Sequence, residues 1–279
     1  MTQAEPALPG PALLFCPADR PDRYAKAMAA ADAVILDLED GVGADDKDAA
    51  RNALAAALLR GDLDPARVIV RVNATGTAEH AADVAALRET RYRQVMLPKA
   101  EGGAQLRQLG DWRVVALCET ARGVVNAAEV AAAPNVVAVM WGAEDLIASM
   151  GGRSSRSADG RYRDVARHTR STVLLAAAAH GKPAIDSVYV NIPDLAGLAA
   201  EAEDAAASGF ALKGCVHPSQ VPVVRKAFQA GEAQVAWARR VIAAARDASA
   251  GDKGAIRVDG QMIDAPLIRQ AEAILASIR

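Results

Sequence analysis

The chain has 279 residues and is 52% hydrophobic, so it can bury the core of one large α/β domain or of two smaller domains. Its formal net charge is −2 and its acidic and basic residues are interspersed, which argues against a polybasic surface for nucleic acid or for an anionic membrane. We therefore expect the partner of this protein to be a small molecule.

Three further features of the sequence predict a cytoplasmic protein. No run reaches the ~18 apolar residues that a membrane span requires. The N-terminal stretch MTQAEPALPG has no basic segment before its apolar residues, so we expect neither export nor membrane insertion. The three cysteines, Cys16, Cys118 and Cys215, lie in apolar runs without a CxxC pair, which is typical of a thiol-reducing compartment.

Short runs rich in β-branched residues and leucine recur along the chain, and Ala-rich amphipathic stretches follow them. In chain order the runs are ALLFCP, AVILDLE, VIVRVN, QVMLPK, RVVALCE, VVAVMWG, KPAIDSVYV and FALKGCVH. Continuous apolar runs indicate strands buried on both faces, and helical patterns between them are typical of βαβ crossovers. Eight such units favour a single (β/α)8 barrel, the TIM-barrel fold, over an open doubly wound sheet.

Two stretches depart from this rhythm. The segment SMGGRSSRSADGRYR at 149–163 follows the sixth strand and is predicted to form a long loop on the functional rim. After the eighth strand come two helical patterns separated by GDKGAIRVDGQMID, although a barrel needs only one closing helix. We therefore predict a catalytic barrel over 1–231 and a C-terminal helical extension over 232–279, which covers the barrel or docks on a neighbouring subunit.

Polar side chains stand where the predicted strands end. Barrel enzymes build their active sites from the C-terminal ends of the strands and from the loops that follow. The residues at these ends are Glu39, Asp40, Arg71, Asn73, Lys99, Glu119, Glu144, Asp145, Asp186 and His217. Eight strands that converge on one rim would bring the acidic cluster of DLEDGV close to the cationic side chains, so the sequence predicts an ionic site there.

Glu119 and Asp145 end two neighbouring predicted strands, which lie about 4.8 Å apart in a parallel sheet. Their carboxylates could share one cation, and two carboxylates without histidine or cysteine suit Mg²⁺, which keeps several waters for a substrate to displace. By spacing, Glu144 could equally be the ligand, and it is a candidate for substrate contact. Each acid taken alone could also be a salt-bridge partner or a helix cap.

The sequence also resembles a known family. The segments LFCPADRPDRYAKA, ADAVILDLEDGV, VRVN, LPKAE, ETARGVVNAAEVAA, GAEDL and GCVHPSQ, in this order and spacing, resemble the citrate lyase β-subunit-like branch of the HpcH/HpaI aldolase family. The resemblance covers nearly the whole chain. It implies a Mg²⁺-dependent TIM barrel, commonly a trimer or hexamer, that acts on 3-hydroxyacyl thioesters of coenzyme A or of an acyl carrier protein.

The same resemblance implies roles for individual residues. The Mg²⁺ ligands of the family fall on Glu119 and Asp145, and its arginine for the substrate carboxylate falls on Arg71. The positions that contact coenzyme A in malyl-CoA lyase-like relatives fall on Phe15, Arg20 and Lys26. The acids that line the keto-acid pocket of the family fall on Glu39 and Asp40.

The segment VDGQMIDAPL resembles a C-terminal motif whose aspartate, here Asp264, reaches the active site of the adjacent protomer. A homotrimer with a borrowed lid is therefore the expected assembly.

These residues predict a Mg²⁺-dependent carbon–carbon lyase that cleaves a citryl-, malyl- or citramalyl-CoA-like thioester into an acyl-CoA and a keto acid. Two alternatives within enzymes stay open, a malate-synthase-like condensing enzyme and a lyase subunit that acts on a carrier-bound citryl ester. A third alternative is a non-catalytic acyl-CoA-binding protein on an inherited barrel, although such a binder would not need a metal-centred acidic site.

Overall fold

A computed structural model describes residues 8–90, 92–250 and 256–278 of the chain. The first seven residues, on which part of the export argument depends, and residues 251–255 of the predicted connection before the last helix lie outside the described residues. The chain divides into two compact units, Met1–Arg225 and Lys226–Arg279.

The first unit is a closed barrel of eight parallel strands in the order β1 to β8, with β8 paired to β1. The prediction of a (β/α)8 barrel is therefore confirmed. The strands are β1 Ala12–Pro17, β2 Ala33–Asp37, β3 Val68–Arg71, β4 Gln94–Leu97, β5 Arg113–Cys118, β6 Val136–Trp141, β7 Ala184–Asp186 and β8 Leu212–Cys215.

Helices connect successive strands on the outside of the barrel. They are α1 Pro21–Ala30, α2 Lys47–Arg60, α3 Ala78–Arg88, α4 Gly103–Arg107, α5 Ala121–Val125, α6 Ala127–Ala132, α7 Ala143–Ser149, α8 Asp164–Ala179 and α9 Leu195–Ser208. Short 3-10 turns span Ala44–Asp46, Pro65–Arg67 and Pro218–Gln220, and α10 spans Val221–Ala227. None of the described helices is long and apolar enough to cross a membrane.

The interior of the barrel is filled by alternate residues of the strands. Its core includes Ile35 of β2, Ile69 of β3 and Leu117 of β5, all buried. Because successive side chains of a strand point to opposite faces, the residues two positions further on, Asp37, Arg71 and Glu119, continue the inward face at the C-terminal rim. The inward face of each of these strands is therefore apolar in the core and charged at the rim.

The outer face of β7 and β8 carries a second set of charges. Ile185 and Leu212 belong to the interior core, so their neighbours Asp186 and Lys213 point outwards. Both are 0% exposed, and Lys213 Nζ donates to Asp186 Oδ2 at 2.7 Å and to Glu201 Oε1 of α9 at 3.0 Å. The placement of Asp186 on the rim was therefore wrong, because one residue along a strand changes the face.

The loop between α7 and α8 is held at two points. Ser155 Oγ donates to Glu144 Oε1 at 2.7 Å, beside the rim residue Asp145. Arg156 Nη2 donates to Glu201 Oε2 at 2.7 Å, and the Arg156 guanidinium lies 3.7 Å from the centre of the Tyr162 ring. The predicted rim loop is thus tied both to α7 and to the charges behind β8.

The second unit has a core of its own. It contains α11 Glu232–Ala250, the antiparallel hairpin of β9 Ile256–Val258 and β10 Gln261–Ile263, and α12 Ala265–Ala276. Buried Ala238, Val241 and Ala271 pack with the hairpin residues Val258 and Ile263. The two helices were expected from the sequence, whereas the hairpin between them was not.

Candidate active site

Arg71 at the end of β3 is held by two acidic side chains. Its Nε and Nη2 donate to the two carboxylate oxygens of Asp37 at 2.7 and 2.6 Å, and Nη1 lies 2.9 Å from Glu39 Oε2. The guanidinium also lies 5.1 Å from the centre of the Phe15 ring. Burial alone would lower the pKa of Arg71, but the hydrogen bonds and charge of Asp37 and the charge of Glu39 raise it. Arg71 is thus a fixed, permanent cation.

Asp37 is itself fixed by the turn that follows β2. Its Oδ1 accepts the backbone N–H of Glu39 and its Oδ2 accepts that of Gly41, both at 2.9 Å. Asp37 therefore binds Arg71 on one side and orders the DLEDG segment on the other. A carboxylate held by this many donors gives the guanidinium one orientation.

Lys99, after β4, links three acids of the site. Its Nζ donates to Glu39 Oε1 at 2.6 Å and lies 3.6 Å from Asp145 Oδ1, while its backbone N–H donates to Glu119 Oε1 at 3.1 Å. The backbone of Lys99 has φ of 50°, a left-handed conformation that costs a non-glycine residue about 1 kcal/mol or more. The residue that makes these three contacts therefore also carries backbone strain.

Glu119 directly follows β5. The next residue, Thr120, is the N-cap of α5, and its hydroxyl accepts the backbone N–H of Gly123 at 3.0 Å. The Glu119 side chain is only 3% exposed. Burial, followed by repulsion from Asp145 and Glu39, raises its pKa to about 8, against the weaker opposing effect of Lys99 and Arg71. The folded chain thus holds a carboxylate that its own cations do not fully neutralise.

These charges give a test of whether the site suits a metal ion. The described site contains more carboxylates than cations, namely Asp37, Glu39, Glu119 and Asp145 against Arg71 and Lys99. Among the described residues no group of three or more His, Cys, Asp or Glu side chains is arranged to hold a metal. Two carboxylates with room for water are nevertheless an ordinary Mg²⁺ site, and a divalent cation would balance the excess charge.

Gly142 leaves space for the side chain of Glu119. A Cβ atom at Gly142 would lie 2.8 Å from Glu119 Oε2 and 2.9 Å from Glu119 Cβ, so any side chain there would displace the carboxylate. Asp145 follows in the first turn of α7 and is ion-paired to Lys99. The carboxylates that could hold a Mg²⁺ ion here are those of Glu119 and Asp145, whereas Glu144 is exposed and accepts Ser155 Oγ.

The remaining predicted residues lie around this cluster or apart from it. Asp40 is exposed next to Glu39, where its charge helps to raise the pKa of Glu39 after the larger effect of burial. Arg20 lies in the loop after β1 and pairs with Asp22 at 3.0 Å, and Lys26 is exposed on α1. The structure therefore leaves these two basic side chains on the surface that follows β1.

Asp264 begins α12 in the second unit. Its side chain accepts the backbone N–H of Leu267 at 3.3 Å, which makes it the N-cap of that helix, and the residue is exposed. This is the helix-capping role that such an aspartate commonly has.

Asp37 and Lys99 were expected from the sequence only as members of the ionic cluster at the rim. Asp37 is the direct partner of Arg71, and its position two residues after Ile35 was a signal that it faces inwards. Lys99 was expected near the acidic cluster, where the structure places it, but nothing in the sequence indicated its left-handed backbone.

The family is decided by a comparison with family models. Residues 12–218 match the model described as HpcH/HpaI aldolase/citrate lyase, which includes all eight strands of the barrel. The chain belongs to the HpcH/HpaI aldolase/citrate lyase family. The resemblance inferred from the sequence motifs is thereby confirmed.

Individual relatives extend this finding. The chain is 58% identical over 266 residues to a citrate lyase subunit beta-like protein of Mycobacterium tuberculosis, with 95% of this chain and 94% of the relative covered. It is 34% identical to a (3S)-malyl-CoA thioesterase of Cereibacter sphaeroides, with 98% and 96% covered. The crystal structure of M. tuberculosis CitE in complex with magnesium, acetoacetate and coenzyme A has a TM-score of 0.91 at 58% identity, covering 96% of this chain and 98% of that one.

Proposed function

We propose that this protein is a Mg²⁺-dependent carbon–carbon lyase that cleaves a 3-hydroxyacyl-CoA thioester into an acyl-CoA and a keto acid. The observation that carries the proposal is the grouping of four carboxylates, Glu119 and Asp145 among them, around only two cations, Arg71 and Lys99. The 58% identical CitE supports it, because its complex contains magnesium, a keto acid and coenzyme A, and the proposed cleavage yields a keto acid and a thioester of coenzyme A.

The reaction breaks the bond between the hydroxyl-bearing carbon and the carbon next to the thioester. The hydroxyl proton passes to solvent and the hydroxyl oxygen becomes the keto oxygen, while the electrons of the broken bond pass to the thioester as an enolate, whose carbon then takes up one proton. Negative charge therefore appears first on the oxygen of the keto acid and then on the thioester. Held by Glu119 and Asp145, Mg²⁺ would supply Lewis-acid stabilisation of the charge on that first oxygen.

Arg71 is suited to bind the carboxylate of the keto-acid half. Two hydrogen bonds to Asp37 and one ion pair to Glu39 use only part of its guanidinium, which has further N–H groups to donate. Because Asp37 and Glu39 fix its orientation in a buried position, the cation needs little rearrangement when the substrate binds. The ring of Phe15 lies 5.1 Å from the guanidinium carbon, which adds a cation–π contact.

Glu39 and Asp40 have different roles in this proposal. Glu39 contacts both Arg71 and Lys99 and so sets the spacing of the two cations around the keto-acid pocket. Asp40 is exposed beside it and lines the entrance. Arg20 and Lys26 are on the surface that follows β1, where basic side chains can meet the phosphates of coenzyme A.

A product analysis tests the proposal. The protein with Mg²⁺ is incubated with malyl-CoA, citramalyl-CoA and citryl-CoA, and glyoxylate, pyruvate or oxaloacetate is measured together with free CoA thiol. We expect one of these keto acids and acetyl-CoA in equal amounts, without free thiol. Free thiol without keto acid would contradict the lyase and indicate hydrolysis, as the name of the C. sphaeroides relative describes for that protein. Saturable binding of the esters without any product would indicate a non-catalytic binder.

We further propose a cytoplasmic homotrimer with a barrel domain over 1–231 and a C-terminal lid over 232–279. The three cysteines are buried and free, as expected in a reducing compartment. In this assembly, Asp264 of one subunit acts in the site of its neighbour and protonates the enolate carbon. Its position at the start of α12, on an exposed turn, leaves the carboxyl group accessible for that role.

Subunit complementation tests the shared site. Asp264→Asn and Glu119→Ala proteins should each be inactive, and mixtures whose subunits have exchanged should regain partial activity. The reason is that some mixed sites then combine an intact metal centre with an intact Asp264. Native mass spectrometry verifies the exchange. Exchanged mixtures that stay inactive would restrict Asp264 to capping α12.

A further inference from the structure

Lys47, at the start of α2, is a buried cation whose contacts the proposed chemistry does not explain. It is 9% exposed, and its Nζ donates to Leu38 O and Glu39 O, both at 2.6 Å, and to Asn73 Oδ1 at 2.9 Å. An ammonium group has three N–H donors, so all of them are used and every one of these acceptors is uncharged. Burying a charge in this way is costly, and it brings strong, directional bonds to the backbone of the segment that carries Glu39.

A second layer of hydrogen bonds supports Lys47. The backbone N–H and Nδ2 of Asn73 donate to Asp83 Oδ2 at 2.8 and 2.7 Å, and Nδ2 also donates to Leu38 O at 2.9 Å. Asp83 is fully buried, and its Oδ1 accepts Arg51 Nη1 at 2.9 Å. The segment after β2 is thus connected to helices α2 and α3 by a continuous, buried set of bonds.

The side chain of Glu39 depends on this backbone. Glu39 Oε1 accepts Lys99 Nζ at 2.6 Å and Oε2 lies 2.9 Å from Arg71 Nη1, so its carboxylate joins the two cations of the site. A shift of the carbonyl groups of Leu38 and Glu39 would move that carboxylate away from one cation or the other. Asp37 holds the same segment from the barrel side through the N–H groups of Glu39 and Gly41.

We propose that Lys47 is a positioning residue, which touches no substrate and sets the carboxylate of Glu39 between Arg71 and Lys99 by holding the backbone of Leu38 and Glu39. The inference rests on the proposed lyase function, because the quantity that it affects is turnover. Asn73 supports the same backbone, because its Oδ1 accepts from Lys47 and its Nδ2 donates to Leu38 O.

The first experiment compares two lysines that bind backbone carbonyl groups. Lys47→Met should lower kcat about 30-fold or more with a much smaller change in KM for the CoA ester, and Lys47→Arg should recover part of the loss. The matched control is Lys182→Met, because Lys182 Nζ donates to Ala133 O at 2.6 Å at the opposite end of the barrel strands. That variant should keep the kcat of the unmodified protein.

The second experiment separates positioning from general stability. Glu39→Gln, Lys47→Met and the double variant form a cycle in which kcat is measured. If Lys47 acts through Glu39, the double variant should be no slower than Glu39→Gln alone. Losses that multiply in the double variant, or a kcat for Lys47→Met equal to that of the unmodified protein, would overturn the proposal. Melting temperatures identify any variant that fails to fold, and Asn73→Ala then takes the place of Lys47→Met in the cycle.

Failure of the lyase assignment is distinguishable from failure of this inference. If the unmodified protein releases no keto acid from any CoA ester, the proposed function fails. The role of Lys47 is then measured by calorimetry as the affinity of the Mg²⁺-loaded protein for oxaloacetate. Lys47→Met should weaken that affinity about tenfold and should not weaken it further in the Glu39→Gln background. Unchanged affinity would overturn the positioning role.

Discussion

Glu119→Gln should abolish measurable Mg²⁺ binding and lower kcat/KM by about 10³-fold or more, equivalent to about 4 kcal/mol. The amide keeps the size of the side chain and can still accept the Lys99 N–H, but it removes the negative charge that a cation requires beside Asp145. Calorimetric titration with Mg²⁺ and turnover of the accepted CoA ester measure the two effects. Full turnover by the unmodified protein in excess EDTA would contradict the metal assignment.

Two controls show that the Glu119→Gln effect is local. In EDTA at pH 8 the variant should melt no lower than the unmodified protein, because the substitution removes a buried charge that Asp145 and Glu39 repel. The same chemical change at Glu129, whose Oε1 accepts Gly103 N at 2.9 Å on the outside of the barrel, should leave Mg²⁺ binding and kcat/KM unchanged.

Arg71→Lys should lower kcat/KM about 100-fold although the positive charge is kept. Lysine cannot donate in parallel to both oxygens of Asp37 and still present N–H groups to a substrate carboxylate, as the planar guanidinium does. Steady-state kinetics with the CoA ester measure the loss, which should lie mainly in KM if Arg71 binds the carboxylate equally in the ground and transition states. Arg60→Lys, at an exposed arginine paired with Asp62, is the control. Equal kcat/KM for Arg71→Lys and the unmodified protein would remove Arg71 from the proposed chemistry.

Much of the barrel could be predicted from the sequence because burial on both faces leaves a strong pattern. Runs such as AVILD, in which all five residues are buried, are too apolar for a surface strand and too short for a helix. The hairpin of β9 and β10 has no such signal. Its strands have three residues each and are largely exposed, with the turn residues Asp259 and Gly260 between them, so the segment resembles a connection.

For the site, the strand-end rule found Glu119, Asp145 and Arg71 because a closed barrel brings all strand ends to one rim. The rule does not say which face a strand-end residue occupies, and Asp186 was therefore misplaced. The rule also does not identify residues that lie on a helix and contact the site from there. Lys47 lies eight positions after Glu39, and only the folded chain brings its Nζ to the Glu39 carbonyl.

The loop between α7 and α8 combines anchored residues with an exposed tip. Its anchors are Ser155, which donates to Glu144 of α7, and Arg156 and Tyr162, which contact Glu201 behind β8. Between these anchors, Ala158–Arg161 form an exposed tip closed by its own backbone bond from Ser157 N to Arg161 O at 2.9 Å. Because the tip is exposed and closed by its own backbone bond, we expect an insertion or a grafted reporter group there to leave Ser155, Arg156 and Tyr162 in place.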